Sequence, residues 1–197
     1  LRQLSIYHNR DITETGWIAI FAALCGNSCR MEQLNISNNR ISDAAAQALA
    51  TFVTTSESLN YLDISGSPQT TAVGWRAIFL ALQSPACTLK ALSVQQNALD
   101  GTMAILPAVL STNSSLEKLD LGATQIDCAT ALALANALAS NNTLTELILN
   151  DNDNITIREW SAFLRALCNP LNIMSTFQSN HTLRTFGDSY RRALNSK

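Results

Sequence analysis

Leu116-Glu117-Lys118-Leu119-Asp120-Leu121 is followed by the helix-like run Ala129 to Ala139, and Leu144-Thr145-Glu146-Leu147-Ile148-Leu149 then begins the pattern again. A short strand plus one helix cannot bury its apolar side alone, but stacked copies can. The same phrase, Leu-x-x-Leu-x-Leu-x-x-Asn, starts at Leu1, Met31, Leu59, Leu89, Leu116 and Leu144, and less regularly at Leu183. Its steps are 30, 28, 30, 27 and 28 residues, then 39 to the last. The apolar anchors are Leu1/Leu4/Ile6, Met31/Leu34/Ile36, Leu59/Leu62/Ile64, Leu89/Leu92/Val94, Leu116/Leu119/Leu121 and Leu144/Leu147/Leu149. None is polar in six consecutive units.

Two periods alternate within each unit. Leu-x-Leu has the period of a strand wet on one face and buried on the other. Further on, Trp17/Ile20/Phe21/Leu24, Trp75/Ile78/Phe79/Leu82 and Trp160/Phe163/Leu164/Leu167 fall at helical spacing. Leu49/Val53, Leu106/Leu110 and Leu134/Leu138 keep part of that stripe. Each strand therefore leads into a helix running back antiparallel to it, and successive strands lie parallel in one sheet. With strands inside and bulkier helices outside, the array must curve. Pro107 should shorten or kink the fourth helix by removing an amide donor. Position nine holds Asn9, Asn39, Asn97 and Asn152, with Ser67 and Thr124 in the other units. A buried amide there can bond the turn's backbone, so these residues are architecture. The tryptophans, seventeenth in units one, three and six, are expected to fill the core.

These units resemble leucine-rich repeats, and their length with a full helix is similar to the ribonuclease-inhibitor-like class. Asn27-Ser28-Cys29-Arg30-Met31-Glu32-Gln33-Leu34-Asn35-Ile36-Ser37-Asn38-Asn39-Arg40-Ile41-Ser42-Asp43 carries the resemblance, as does Ser84-Pro85-Ala86-Cys87-Thr88-Leu89. It covers residues 1 to about 170. It implies a right-handed α/β leucine-rich-repeat solenoid that binds protein through its concave sheet, is monomeric and resides in the cytoplasm. Residues 1–197 are expected to form a single such domain, an excerpt of a longer protein, since the pattern opens at Leu1 without Met. The segment Asn169 to Ser179 is an insertion holding Pro170, Met174 and Phe177. Beyond it, Leu183 and Phe186 keep two anchors, while Asp188 and Arg191 replace the third anchor and the ninth-position asparagine. A terminal cap and a truncated repeat both fit that pattern.

Composition narrows the function. The chain is 47% hydrophobic, with 13 basic and 15 acidic residues for a net charge of -2. That leaves no electrostatic footprint for nucleic acid. The longest apolar run, Trp17 to Cys25, is far too short to span a bilayer. Cys25, Cys29, Cys87, Cys128 and Cys168 are an odd, scattered set and not a disulfide framework. With only His8 and His181 beside them, they make no four-ligand zinc site, and they read as small buried apolar side chains. Neither histidine is placed to activate a cysteine or serine. Asp151-Asn152-Asp153-Asn154 lacks the glycine and glutamate of a calcium loop. No cofactor, metal or catalytic residue is expected. Asn35, Asn113, Asn141, Asn154 and Asn180 begin Asn-x-Ser/Thr triplets, and no glycan is expected on them.

The wet sheet face is the expected interface. Alternation puts positions three, five and seven on it, with position eight at its edge. The candidate partner-binding residues are Gln3, Ser5, Tyr7 and His8 of unit one, Gln33, Asn35 and Ser37 of unit two, and Tyr61, Asp63 and Ser65 of unit three. Ser93 and Gln95, Lys118 and Asp120, and Glu146, Asn150 and Asp151 continue it through units four, five and six. Tyrosine beside short polar groups suits protein recognition. Two alternatives stand beside this binding module. Ran GTPase-activating proteins resemble the fold and act through an arginine, for which Arg2, Arg10 and Arg40 are the nearest candidates. The third reading is the ligand-sensing repeat region of a larger receptor.

Overall fold

Three residues per strand suffice here, because every strand is paired on both edges except the two at the ends of the array. The computed structural model describes residues 1–26, 29–99, 101–171, 173–177 and 179–187. The strands are β1 (Gln3–Ser5), β2 (Gln33–Asn35), β3 (Tyr61–Asp63), β4 (Ala91–Ser93), β5 (Lys118–Asp120), β6 (Glu146–Ile148) and β7 (Thr185–Gly187). They form one parallel sheet in chain order. Its register aligns Leu4, Leu34, Leu62, Leu92, Leu119, Leu147 and Phe186 in a single row. Leu183 and Phe186 thus continue the array, whereas Asp188 and Arg191 lie outside the described residues.

Helices return behind the sheet: α1 (Glu14–Leu24), α2 (Asp43–Thr55), α3 (Ala72–Ala81), α4 (Leu106–Thr112), α5 (Cys128–Ser140), α6 (Ile157–Leu167) and the single turn α7 (Ile173–Phe177). Thr13, Ser42, Thr71, Asp127 and Thr156 cap α1, α2, α3, α5 and α6, each side chain accepting a first-turn amide. Such a cap is missing from α4, which is entered through a 3-10 turn at Met103–Ile105 with Pro107 in its first turn. It is the shortest helix of the six regular units, as the proline requires. Rungs repeat at about 4.8 Å in a sheet, whereas packed helices need roughly 8–10 Å, so the sheet lies on the inner side of the curve.

The anchors of units two to six are buried. In unit one, Leu4 and Ile6 are partly exposed and Leu1 is 82% exposed, because no rung packs on their outer side. Trp17 and Trp75 are fully buried and stack on Phe21 and Phe79, while half-buried Trp160 packs on Phe163 and Phe186. Leu164 departs from its expected buried position. It is 61% exposed, since among the described residues no helix follows β7 to pack on that side of α6. Of the cysteines, Cys87 is buried and Cys25 and Cys29 are half-buried, but Cys128 and Cys168 are exposed, contrary to expectation. They sit at the first residue of α5 and just past the end of α6, where the chain faces outward.

Polar groups tie the rungs together. Asn39 Nδ2 donates to the carbonyls of Ile6 and Ile36, and its Oδ1 accepts the Asn9 amide at 2.6 Å. Asn97 joins Ile64, Val94 and the Ser67 amide, and Asn152 joins Leu121, Leu149 and the amides of Thr124 and Ile126. Thr124 bonds the Leu121 carbonyl of its own unit, but the buried Ser67 hydroxyl has no partner. Asn9 is exposed and reaches only Tyr7 O. A second set closes the loops before the strands. Asn113, Asn141 and Asn180 donate to the carbonyls of Leu82, Leu110 and Leu138 and accept the amides of Leu116, Leu144 and Leu183. These three buried amides belong to Asn-x-Ser/Thr triplets, and an engaged amide nitrogen leaves no room for a glycan.

Between α2 and α3 the packing is closest where Gly74 sits. A Cβ there would stand 2.7 Å from Thr70 Cγ2 and 2.9 Å from Ala46 Cβ. Asp43 crosses the same seam and accepts the amides of Thr71 and Gly74 and the Thr71 hydroxyl. Burial raises its pKa, but these bonds outweigh that and hold it below the ordinary value.

At position eight, His8, Asn38, Gly66, Gln96, Ala123 and Asp151 all have φ between 53° and 60°. Left-handed backbone strains a residue carrying a Cβ. Ala123→Gly is expected to stabilise the fold by about 0.5–1 kcal/mol, the relieved strain less glycine's unfolded-chain entropy. Asn97→Ala strands an amide and two carbonyls and should cost about 1–3 kcal/mol, whereas exposed Asn9→Ala should stay within about 0.5 kcal/mol. Urea-denaturation midpoints of the three variants check both expectations.

Candidate protein-binding face

The ladder register fixes which candidate residues share a surface. Gln3, Gln33, Tyr61, Ala91, Lys118 and Glu146 form one row across the sheet, and Ser5, Asn35, Asp63, Ser93, Asp120 and Ile148 form the next. Tyr7 and His8 stand exposed at the first rung, with Asp151 exposed and Asn150 half-exposed at the sixth. Ser37 and Ser65 do not reach this surface. Both are buried, and their hydroxyls turn back to Asn35 Oδ1 and Asp63 Oδ1. The strand ends two residues earlier, so alternation no longer governs position seven, and the chain is already bending toward the left-handed residue that follows.

Position five has two tasks. Its side-chain oxygen closes the turn two residues on: Asn35 accepts Ser37 N, Asp63 accepts Ser65 N and Asp120 accepts Gly122 N, each at 3.0 Å. The same side chains remain half-exposed on the face. Between β3 and β6, Asp63 and Asp120 border a hollow of about 200 Å³, with Tyr61 and Lys118 beside them and Ala91, Leu92, Leu119 and Ile148 supplying apolar surface.

The hollow is negatively charged. Burial raises the pKa of Asp120; the Gly122 amide opposes this, while the charges of Asp63 and Glu146 add to the rise. Burial also raises Tyr61, reinforced by the charges of Asp63 and Asp120. Lys118 pairs with Glu146 at 3.2 Å. Elsewhere, Arg2 pairs with Glu32 at 2.6 Å, and Lys90 pairs with Glu117. Arg10 and Arg40 share an outer hollow with Asp11 and Glu14. Among the described residues, no group of three His, Cys, Asp or Glu is placed to hold a metal ion. No helix among them is long and apolar enough to cross a membrane.

Residues 27–50, spanning β2 and the start of α2, match a family model described as Leucine Rich repeat. The same strand–helix unit recurs along one parallel sheet. The chain has the leucine-rich-repeat fold. It is similar to the human NACHT, LRR and PYD domains-containing protein 12, at 28% identity over 125 residues, which cover 61% of this chain and 11% of that protein. It therefore spans about a tenth of that relative's length. Among solved structures it is similar to Leiomodin-1 Actin-Binding Site 2, with a TM-score of 0.58 and 22% identity, covering 71% of this leucine-rich repeat chain and 79% of that one. The C-terminal domain of Caenorhabditis elegans tropomodulin matches with a TM-score of 0.61 and 13% identity, covering 74% and 88%. At such identities these two likenesses concern the fold.

The raised pKa of Asp120 carries a sign. The folded state binds its proton more tightly than the unfolded chain, so this contribution is full below the unfolded pKa and lost as pH rises through the folded one. Asp120→Asn keeps an oxygen for the Gly122 amide. It should raise stability at pH 7, by less than about 1 kcal/mol at a half-exposed, screened site, and the gain should vanish toward about pH 3. Urea denaturation at both pH values measures it.

Proposed function

We propose that this chain is a protein-interaction module without catalysis of its own, engaging its partner mainly through the concave sheet face. The observation that supports this most directly is the hollow between β3 and β6, where the row through Tyr61 meets the row through Asp63 and Asp120. Folding alone gives no reason to crowd like charges there at a cost to stability. A partner that uses them does. Tyr61 supplies rigid contact area with little entropy to lose, as aromatic anchors of interfaces do.

A second reading, the ligand-sensing repeat region of a larger receptor, is favoured by the likeness to a tenth of a much longer multidomain protein. The two are compatible, since such a region would use the same face. An arginine-dependent GTPase-activating role draws less support. Arg2 is engaged with Glu32, and Arg10 and Arg40 lie outside the sheet face among acidic neighbours.

The variant that tests the face must spare the turns. Asp63→Ala would remove the acceptor of the Ser65 amide, whereas Asp63→Asn retains one. Tyr61→Ala combined with Asp63→Asn should leave the melting temperature near that of the native chain while weakening partner capture from source-cell lysate about tenfold or more, as loss of central contacts does. Quantitative mass spectrometry of the captured proteins reads this out. Equal capture by both chains would place the interface elsewhere.

A further inference from the structure

The hollow on the sheet face is short of hydrogen-bond donors as well as of positive charge. Ser65 Oγ donates to Asp63 Oδ1 at 2.6 Å and lies 2.9 Å from Ser93 Oγ. The Ser93 hydroxyl also lies close enough to Asp120 to favour its ionised form. Each serine has one hydroxyl proton and an ionised carboxylate has none to give, so with the Ser65 proton on Asp63, the Ser93 proton can serve Ser65 Oγ or Asp120 but not both. The backbone adds one donor to each carboxylate, Ser65 N and Gly122 N. Among the described residues neither Asp63 nor Asp120 has an ion-pair partner, and Lys118, on the same strand as Asp120, is engaged with Glu146.

The complement is a cation that is rich in donors and partly apolar. A metal ion does not fit, since the carboxylates do not converge as a ligand set. Nucleic acid would be repelled by this charge. A guanidinium offers five donors in a planar fork. Its alkyl stem can lie along apolar surface, here Tyr61, Ala91 and Ile148, and the tyrosine ring also attracts a cation over its face.

Resting on the sheet face as the interface, we propose that the hollow receives an arginine side chain from an extended segment of the partner protein. The head group sits between Asp63 and Asp120, and the stem lies against Tyr61 and Ile148.

Panning a displayed library of random peptides, roughly twelve residues long, against the full 197-residue chain tests this. The enriched peptides should share an arginine. Replacing that arginine by glutamine, or using Asp63→Asn/Asp120→Asn in the chain, should weaken binding about tenfold or more, with lysine intermediate. Both asparagines keep the turn-closing oxygens, and an unchanged melting temperature confirms that the variant folds. Peptides that need Tyr61 but carry no basic residue, or that ignore Asp63→Asn/Asp120→Asn, overturn the arginine site and leave the face as the interface. Peptides indifferent to Tyr61→Ala as well remove the face itself. Enrichment of no peptide also overturns the proposal, which requires a linear basic segment to bind.

Discussion

A strand of three residues leaves most of its unit's backbone outside the ladder, and in a stacked array much of that backbone is buried. Each orphaned amide or carbonyl there would cost about 1–3 kcal/mol, repeated at every rung. Asparagine meets the requirement at both ends of the strand. Asn39, Asn97 and Asn152 bond the exit turns, and Asn113, Asn141 and Asn180 bond the entry loops. A carboxamide donates and accepts from one short side chain, so a single residue serves its own unit and the one before it. Apolar anchors can stack only where these groups are satisfied.

The same requirement explains the irregular places. Ser67 is too short to reach back a rung, and its own hydroxyl is unpartnered, yet its amide is held by Asn97 of the next unit. The Thr124 hydroxyl bonds the carbonyl of its own unit and does not reach back a rung, and Asn152 supplies the acceptor for its amide. Asparagines in alternate units therefore serve the units between them. In α4, Pro107 and the missing cap shorten the helix without disturbing the row of Leu92 and Leu119, because the ladder and the asparagines set the register.

Much of this was legible in the residues. The anchors announced their row, and period-two alternation correctly placed positions three and five on one surface. Alternation failed at position seven, where Ser37 and Ser65 turn inward, because a period holds only as long as the strand does. A signal for that bend was present in the eighth position, where Asn38, Gly66 and Asp151 are residue types that tolerate left-handed backbone; Gln96 and Ala123, which do not, obscured it. Leu164 was misplaced for a different reason. A helical stripe names the face that could be buried, and the neighbouring unit's helix decides whether it is: α5 packs on α6 from one side, but among the described residues no helix follows β7 on the other. The second asparagine set was hidden by its own chemistry, since Asn-x-Ser/Thr reads first as a modification signal.

Position five shows how binding can grow from architecture. The turn asks only for a short side-chain oxygen, and Asn35 meets that need without charge. Asp63 and Asp120 meet it too, but each adds a negative charge to a half-buried hollow, where burial and each other's field oppose ionisation of Asp120. Asparagine would close both turns at lower electrostatic cost, so turn closure does not account for aspartate at these two rungs. The excess charge faces the concave side, beside Tyr61, where a partner can neutralise it. The field that weakens the free chain is then available to strengthen the complex, because a cation arriving between the two carboxylates meets acceptors already held in place by the turns.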